Sequence, residues 1–229
     1  MDEFNFLKTS SDLLYAVKLN KEYESYRISL SEFPESRLLS ELKDDKSKKT
    51  FWINIYNAFF QILRKFQNLE HPEVFRKKTI DIAGIKLSLD DIEHGILRKF
   101  RWKYSLGYFS KPFANKRIRK LSVKDLDFRI HFALNCGAES CPPIAFYSKD
   151  KIEEQLNFAT EGFILSNSQI DKNTKTVSIS KLFLWYRADF GGKKGIIEIV
   201  GHYFKKDLSK FKIKYQDYSW KEYLDNFQD

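Results

Sequence analysis

A helix-rich α+β fold in one domain, with a small, mainly antiparallel sheet, is predicted by three features of this 229-residue chain. Several long segments repeat apolar residues at helical spacing, a few short ones alternate apolar with polar residues, and no repeat or proline-rich linker divides them. The composition, 42% hydrophobic and 16% aromatic, suffices for one large core. The expected organisation is a single domain over 1–229, with a helical N-terminal part to residue 49, a central part over about 50–190, and a closing helix and strand over 193–229.

The apolar pattern of residues 10–28 and 35–43 is helical, and the charged run 44–49 leads into the next helix. In "TFWINIYNAFFQILRKF", Phe51, Trp52, Ile55, Phe59, Ile62, Leu63 and Phe66 fall on a broad apolar arc, and Asn54, Asn57 and Gln61 form the remaining stripe. Amides where charge is usual have two readings: they line a buried polar site, or they satisfy nearby backbone groups. Residues 79–87, "TIDIAGIKL", read as a hairpin turning at Ala83-Gly84. Ser88 and Asp91 then make a capping-box-like start to a helix whose apolar face is Leu89, Ile92, Ile96 and Phe100. Glu93 lies close to that face, so it needs a partner or a proton. His94 sits in the first two turns, where the helix N-terminus disfavours an imidazolium.

Phe128, Ile130, Phe132 and Leu134 alternate strictly, which reads as a buried strand ending at Asn135-Cys136-Gly137; a short helix capped by Asp127 is the alternative. A helix over 149–165, a polar loop over 167–173, the strand "TVSIS", a helix over 181–190, a helix near 194–206 and the strand "FKIKY" complete the expectation.

Both cysteines stand in "DFRIHFALNCGAESCPPIAFYS", with His131 before Cys136 and two prolines after Cys141. Two thiols beside a histidine and a glycine turn point to reactivity, metal or redox chemistry rather than to scattered structural crosslinks. On the strand reading, Gly137 permits a sharp turn and its amide and that of Ala138 face an oxyanion. The spacing of His131, Cys136 and Cys141, with His94 as a fourth ligand, matches no common zinc motif. A redox pair between the cysteines requires Cα atoms within about 7 Å.

The net charge of +9 is concentrated. Residues 98–124 hold ten basic residues and no acidic one, among them Arg98, Lys99, Arg101, Lys103, Lys116, Arg117, Arg119 and Lys120. Phe100, Trp102, Tyr104, Tyr108, Phe109 and Phe113 are interleaved with them. Such a segment suits single-stranded nucleic acid or another acidic partner, attraction of an acidic substrate, or an ordinary solvated face. The partner is not identified by the sequence. No glycine-rich phosphate loop is present, so no cofactor is expected. The first residues lack a basic and apolar leader, no window is long and apolar enough for a membrane span, and a cytoplasmic location is the expectation.

The runs "FWINIYNAF", "IDIAGIKLSLDDIEHGILR", "RIHFALNCGAESCPP" and "KLFLWYRADF", in that order, resemble the Domain of Unknown Function 547 family of bacterial and plant proteins over about residues 50–190. The resemblance implies a shared domain without an established activity. In the family pattern the counterparts of Asn57, of the Glu93–Arg98 run and of Cys136-Gly137 recur together. Plant members lack counterparts of His131 and Cys141, and 99–124 lies outside the pattern.

Two functional expectations follow. The first is a thiol enzyme, a papain-like hydrolase or acyl transferase, with Cys136 as nucleophile, His94 as base and Asn57 or Glu93 orienting the imidazole; Asn54, Gly137, His131 and Cys141 are accessory. The second is a non-enzymatic module that binds protein or nucleic acid through the basic aromatic segment, with Cys136 filling the core.

Overall fold

The structure is a computed structural model that describes residues 4–111 and 115–228; Phe113 lies outside them. Its axis is the helix the sequence marks as most apolar. Three helices, α1 (Phe6–Lys18), α2 (Glu24–Glu32) and α3 (Glu35–Glu41), precede α4 (Asp45–Gln61), which runs on through a wider π turn at Ile62–Phe66. The expected helix over 10–28 is thus two, broken at 19–23, where Asn20 takes a positive φ of 52°. Asp44 caps α4 by accepting from the Ser47 amide at 2.8 Å. From Lys49 to Gln61 every α4 residue is buried, because α1 packs along one side and α7 (Ile152–Ser166) and the 91–97 segment close others. A helix buried all round does not spend amides on solvent. Asn54 donates to Tyr147 O at 2.9 Å and accepts from Tyr147 N at 3.1 Å, so the backbone-satisfying reading of the amide stripe holds there.

After α5 (Glu73–Arg76), β1 (Ile80–Ile82) and β2 (Ile85–Leu87) pair antiparallel as expected, Ile80 opposite Leu87 and Ile82 opposite Ile85. Ala83 and Gly84 both have positive φ, 52° and 71°, which is what a tight two-residue turn with right-handed strand twist requires. Ser88 and Asp91 exchange hydrogen bonds, amide to side chain, at 3.1 Å each. The helix they open is of π type over Asp91–Leu97, with the Arg98 amide reaching back to Glu93 O at 2.8 Å. The chain then turns sharply through Lys99 and Phe100, both at positive φ, into a hairpin-like loop over 100–111 and α6 (Lys116–Leu121).

Residues Phe128–Phe132 form a 3-10 helix, not a strand. Asp127 decides this: its carboxylate accepts from the Arg129 amide at 3.1 Å and is anchored by Lys49 at 2.7 Å. Burial of every residue from Ile130 to Leu134 produces the apolar density that mimics a strand. Following α7, β3 (Gln169–Asp171) forms where a polar loop was expected and pairs antiparallel with β4 (Thr176–Ile179). The 181–190 helix is one turn, α8 (Leu182–Trp185), before α9 (Gly192–Phe204) and β5 (Lys212–Tyr215), which lies parallel to β4. The fold is helix-rich α+β with two small sheets.

Two apolar clusters fill it. One surrounds α4; the other lies among α7, α8, α9 and the second sheet, with Phe132 in the second and Ile130 and Leu134 in the first. The 128–134 segment therefore sits where the two meet. Residues 216–228 then return along the cysteine loop, with Tyr223 N on Gly137 O at 2.7 Å and Glu139 N on Lys221 O at 2.8 Å.

Candidate active site

A cavity of about 240 Å³ opens where these segments converge. The π helix supplies Glu93 and His94, the 3-10 helix His131, the following loop Cys136 and Cys141, and the turn after α8 Tyr186. Within this short helix His94 Nδ1 lies 3.5 Å from Glu93 Oε1 and faces Arg98 one turn on, so the three side chains form one cluster around His94.

Glu93 is buried and held by two phenols, Tyr186 Oη donating to Oε1 at 2.7 Å and Tyr56 Oη to Oε2 at 3.2 Å. Burial alone would raise its pKa, but the His94 ring, the Arg98 charge and the Tyr186 hydrogen bond outweigh it, and the net direction is down. Tyr56 and Tyr186 are pushed well above the usual phenol range by burial and by the Glu93 charge, so both remain donors. Arg98 is buried, with Nε on Asp189 Oδ2 at 2.6 Å and its guanidinium over the Tyr186 ring. Its Nη1 lies 2.7 Å from His94 Nδ1. A guanidinium only donates, so His94 Nδ1 accepts and the proton of the neutral ring sits on Nε2, 3.6 Å from Asp90 Oδ1. Burial lowers the pKa of His94, with Glu93 pulling the other way.

His131 is stacked on Tyr186, with ring centroids 3.9 Å apart, and its Nε2 lies 2.9 Å from Asp189 Oδ2. Asp189, buried and held ionised against that burial by His131 and Arg98, accepts this bond; the neutral ring therefore keeps its lone pair on Nδ1. Burial lowers the His131 pKa, and Asp189 opposes it.

The sulfurs of Cys136 and Cys141 are at bonding distance, with Cα atoms 6.3 Å apart, inside the limit set for a redox pair. Tyr218 Oη, from the C-terminal tail, lies 3.1 Å from Cys141 Sγ and 3.6 Å from Cys136 Sγ. Asn135 shapes the loop: its side chain accepts from Gly137 N at 2.7 Å and donates to Pro142 O at 2.7 Å. The Gly137 amide is thereby engaged and does not face an oxyanion. Gly137 itself has φ of +76°, and a Cβ there would stand 2.7 Å from the Phe60 ring. Asn57 donates to Ala133 O at 2.9 Å and accepts from Asn135 N at 3.0 Å, so it holds the backbone entering the cysteine loop rather than an imidazole.

The basic residues separate in space. Arg98 is interior, which removes it from any acidic-partner surface; its charge answers two buried carboxylates instead. Lys103 pairs with Asp90, Arg117 and Lys120 face Glu35, and Arg119 lies over Phe100, while Lys99 and Lys116 are exposed. Arg101 is half-buried beside a second cavity. Among the described residues no group of three or more histidine, cysteine or carboxylate side chains is arranged to hold a metal ion, and no helix is long and apolar enough to cross a membrane.

The model of a family described as a protein of unknown function, DUF547, matches residues 39–164. The chain belongs to this family. The DUF547 match starts before residue 50 and ends before "KLFLWYRADF", so Asn57, Glu93, His94, Arg98, His131 and both cysteines fall within it, and Tyr186, Asp189 and Tyr218 lie beyond. No curated protein and no solved structure matches the chain. Sequence reasoning passed over Asp189, Tyr186, Tyr56 and Tyr218. A carboxylate inside the aromatic run "LWYRADF" was the available signal for the first two. Nothing in the sequence separates Tyr56 or Tyr218 from the chain's other aromatic residues.

Proposed function

We propose that the cavity is a thiol-dependent acyl-transfer site that works in the reduced protein. The observation that carries this reading is the convergence of Cys136, His94 and the Asp189-paired His131 on one cavity from separate segments. Reduction of the Cys136–Cys141 pair by an external dithiol, two electrons and two protons, frees both thiols. The Cys136 proton passes to an imidazole, the sulfur attacks an acyl carbon, and the bond to the leaving group breaks as that group takes the proton back. Water then cleaves the thioester, or another nucleophile does so in a transferase.

Geometry favours a different division of the imidazoles from the one the sequence suggests. His94 Nδ1 is occupied by Arg98, which suits His94 to a neutral donor, through Nε2, toward a developing oxyanion. His131 has the carboxylate partner and the open lone pair of a base. Tyr218, kept protonated by burial, is placed to donate to the freed thiolate.

The test is alkylation of Cys136 by iodoacetamide against pH, in reduced Cys141→Ser protein. The expected inflection lies well below ~8.5 and returns toward that value with His131→Ala or Asp189→Asn. His94→Ala should leave the inflection in place and slow turnover of an activated ester by about 10²-fold, the usual cost of losing an oxyanion donor. An inflection at the ordinary thiol value in every variant would refute the reading, and one that moves only with His94→Ala would return the base role to His94.

A further inference from the structure

A second cavity, about 320 Å³, shares Asp90, His94 and Lys103 with the first. Its lining is of another kind. Lys78, Arg101, Lys103 and Lys111 supply four positive charges against Asp90 and Asp91. Lys78 is 3.3 Å from Asp91, and Lys103 pairs with Asp90. Arg101 and Lys111 are in no ion pair among the described residues, so the cavity keeps two cationic groups uncompensated.

Both belong to the loop that forms one side of the cavity. The loop over 100–111 folds on itself, with Trp102 N on Phe109 O at 2.8 Å, Lys111 N on Phe100 O at 2.6 Å, and Arg101 opposite Ser110. Arg101 and Lys111, both from this stem, line the cavity, and Trp102 and Tyr104, both exposed, complete an aromatic wall with ring centroids 6.0 Å apart. The far end of the loop is fixed to the acyl-transfer site. Leu106 O accepts from Ala188 N at 2.9 Å, and Gly107, at φ +84°, packs so closely on Asp189 that a Cβ would collide with its carboxylate.

We propose that this second cavity binds the anionic, ring-bearing part of the substrate whose acyl group enters the first. This inference rests on the acyl-transfer reading for the link to chemistry, but the binding is tested without it. The substrate class is an acyl compound carrying a phosphate or carboxylate on an aromatic group. Arg101 and Lys111 hold the anion through charge-assisted hydrogen bonds, and Trp102 packs on the ring. His94 and Lys103, in the shared wall, connect the two halves.

The experiment titrates the reduced full chain with phenyl phosphate, inorganic phosphate and phenol by calorimetry, and repeats it in Cys136→Ser protein. Phenyl phosphate is expected to bind more tightly than either fragment, and equally with and without the thiol. Arg101→Ala and Lys111→Ala should each weaken it about tenfold, and raised salt should weaken it further. Trp102→Ala should remove the advantage of phenyl phosphate over inorganic phosphate. Phenol binding as well as phenyl phosphate, or affinity unmoved by both cationic substitutions, would overturn the proposal, as would no binding at millimolar concentration. Intact binding in a chain that proves catalytically inert would uphold this site while removing the chemistry assigned to its neighbour.

Discussion

Asn57→Ala tests the claim that α4 positions the cysteine loop. The side chain makes two buried bonds to one stretch of backbone, to Ala133 O at 2.9 Å and from Asn135 N at 3.0 Å. Both backbone groups belong to buried residues, so alanine leaves a carbonyl and an amide unpaired and dry. Each such orphan costs about 1–3 kcal/mol, which sets the expected loss at about 2–6 kcal/mol, a large part of the ~5–15 kcal/mol that holds a domain together. Asn54→Ala is the matched control: it breaks an equivalent pair, to Tyr147, on the same helix but away from the cysteines. Urea unfolding followed by tryptophan fluorescence should give similar losses for the two variants at unchanged m-value. Alkylation of Cys136 in the reduced native state should change with Asn57→Ala alone, because only that loop loses its anchor. A loss under ~1 kcal/mol, or equal effects of both variants on Cys136, would refute the reasoning.

Acid stability should depend on Asp127. Burial raises its pKa, but hydrogen bonds from Arg129 and Lys49 win and bring it to about 2 from 3.8. A depressed carboxylate contributes fully above its unfolded value and loses that contribution as pH falls from ~4 to ~2, which amounts to about 2 kcal/mol. The stability difference between wild type and Asp127→Asn should therefore shrink by that amount across this window in urea titrations; a constant difference would refute the assignment. Gly137→Ala should cost about 2–4 kcal/mol, from the clash with Phe60 and the positive φ together, as read by thermal unfolding. A companion Phe60→Leu change should recover part of that loss, and no recovery would show that backbone conformation dominates.

The parts of this fold legible in the sequence are those set by local chemistry. Ala83-Gly84 fixed the hairpin, Ser88 with Asp91 fixed the helix start, and the aromatic density of 51–66 marked the core helix. The site was legible as a set of residue types but not as an arrangement. Apolar alternation at 128–134 suggested a strand because one-dimensional spacing does not reveal that both flanks of a 3-10 helix are covered by separate clusters. Counting charge along 98–124 likewise hid Arg98, whose partners Asp189 and His94 lie on opposite sides of it in sequence. The tail that brings Tyr218 to the sulfurs carries no periodic signal, since it is held by isolated backbone bonds to 137–144.

The buried network also carries a charge argument. Glu93 and Asp189 are ionised, and among the described residues Arg98 is the cation buried beside them, so with both imidazoles neutral the cluster holds one negative charge in excess. Asp90 and Lys103, at its edge, cancel. In a dry cavity, separating a thiol into thiolate and proton is costly, because both products are charged. On the proposed acyl-transfer reading the net charge does not change when the proton moves from sulfur to His131, but the imidazolium forms against the Asp189 carboxylate, which stabilises it in place of water. On the same reading, burial favours the neutral ring and the carboxylate favours the charged one, the opposition that a base which must both accept and release a proton requires.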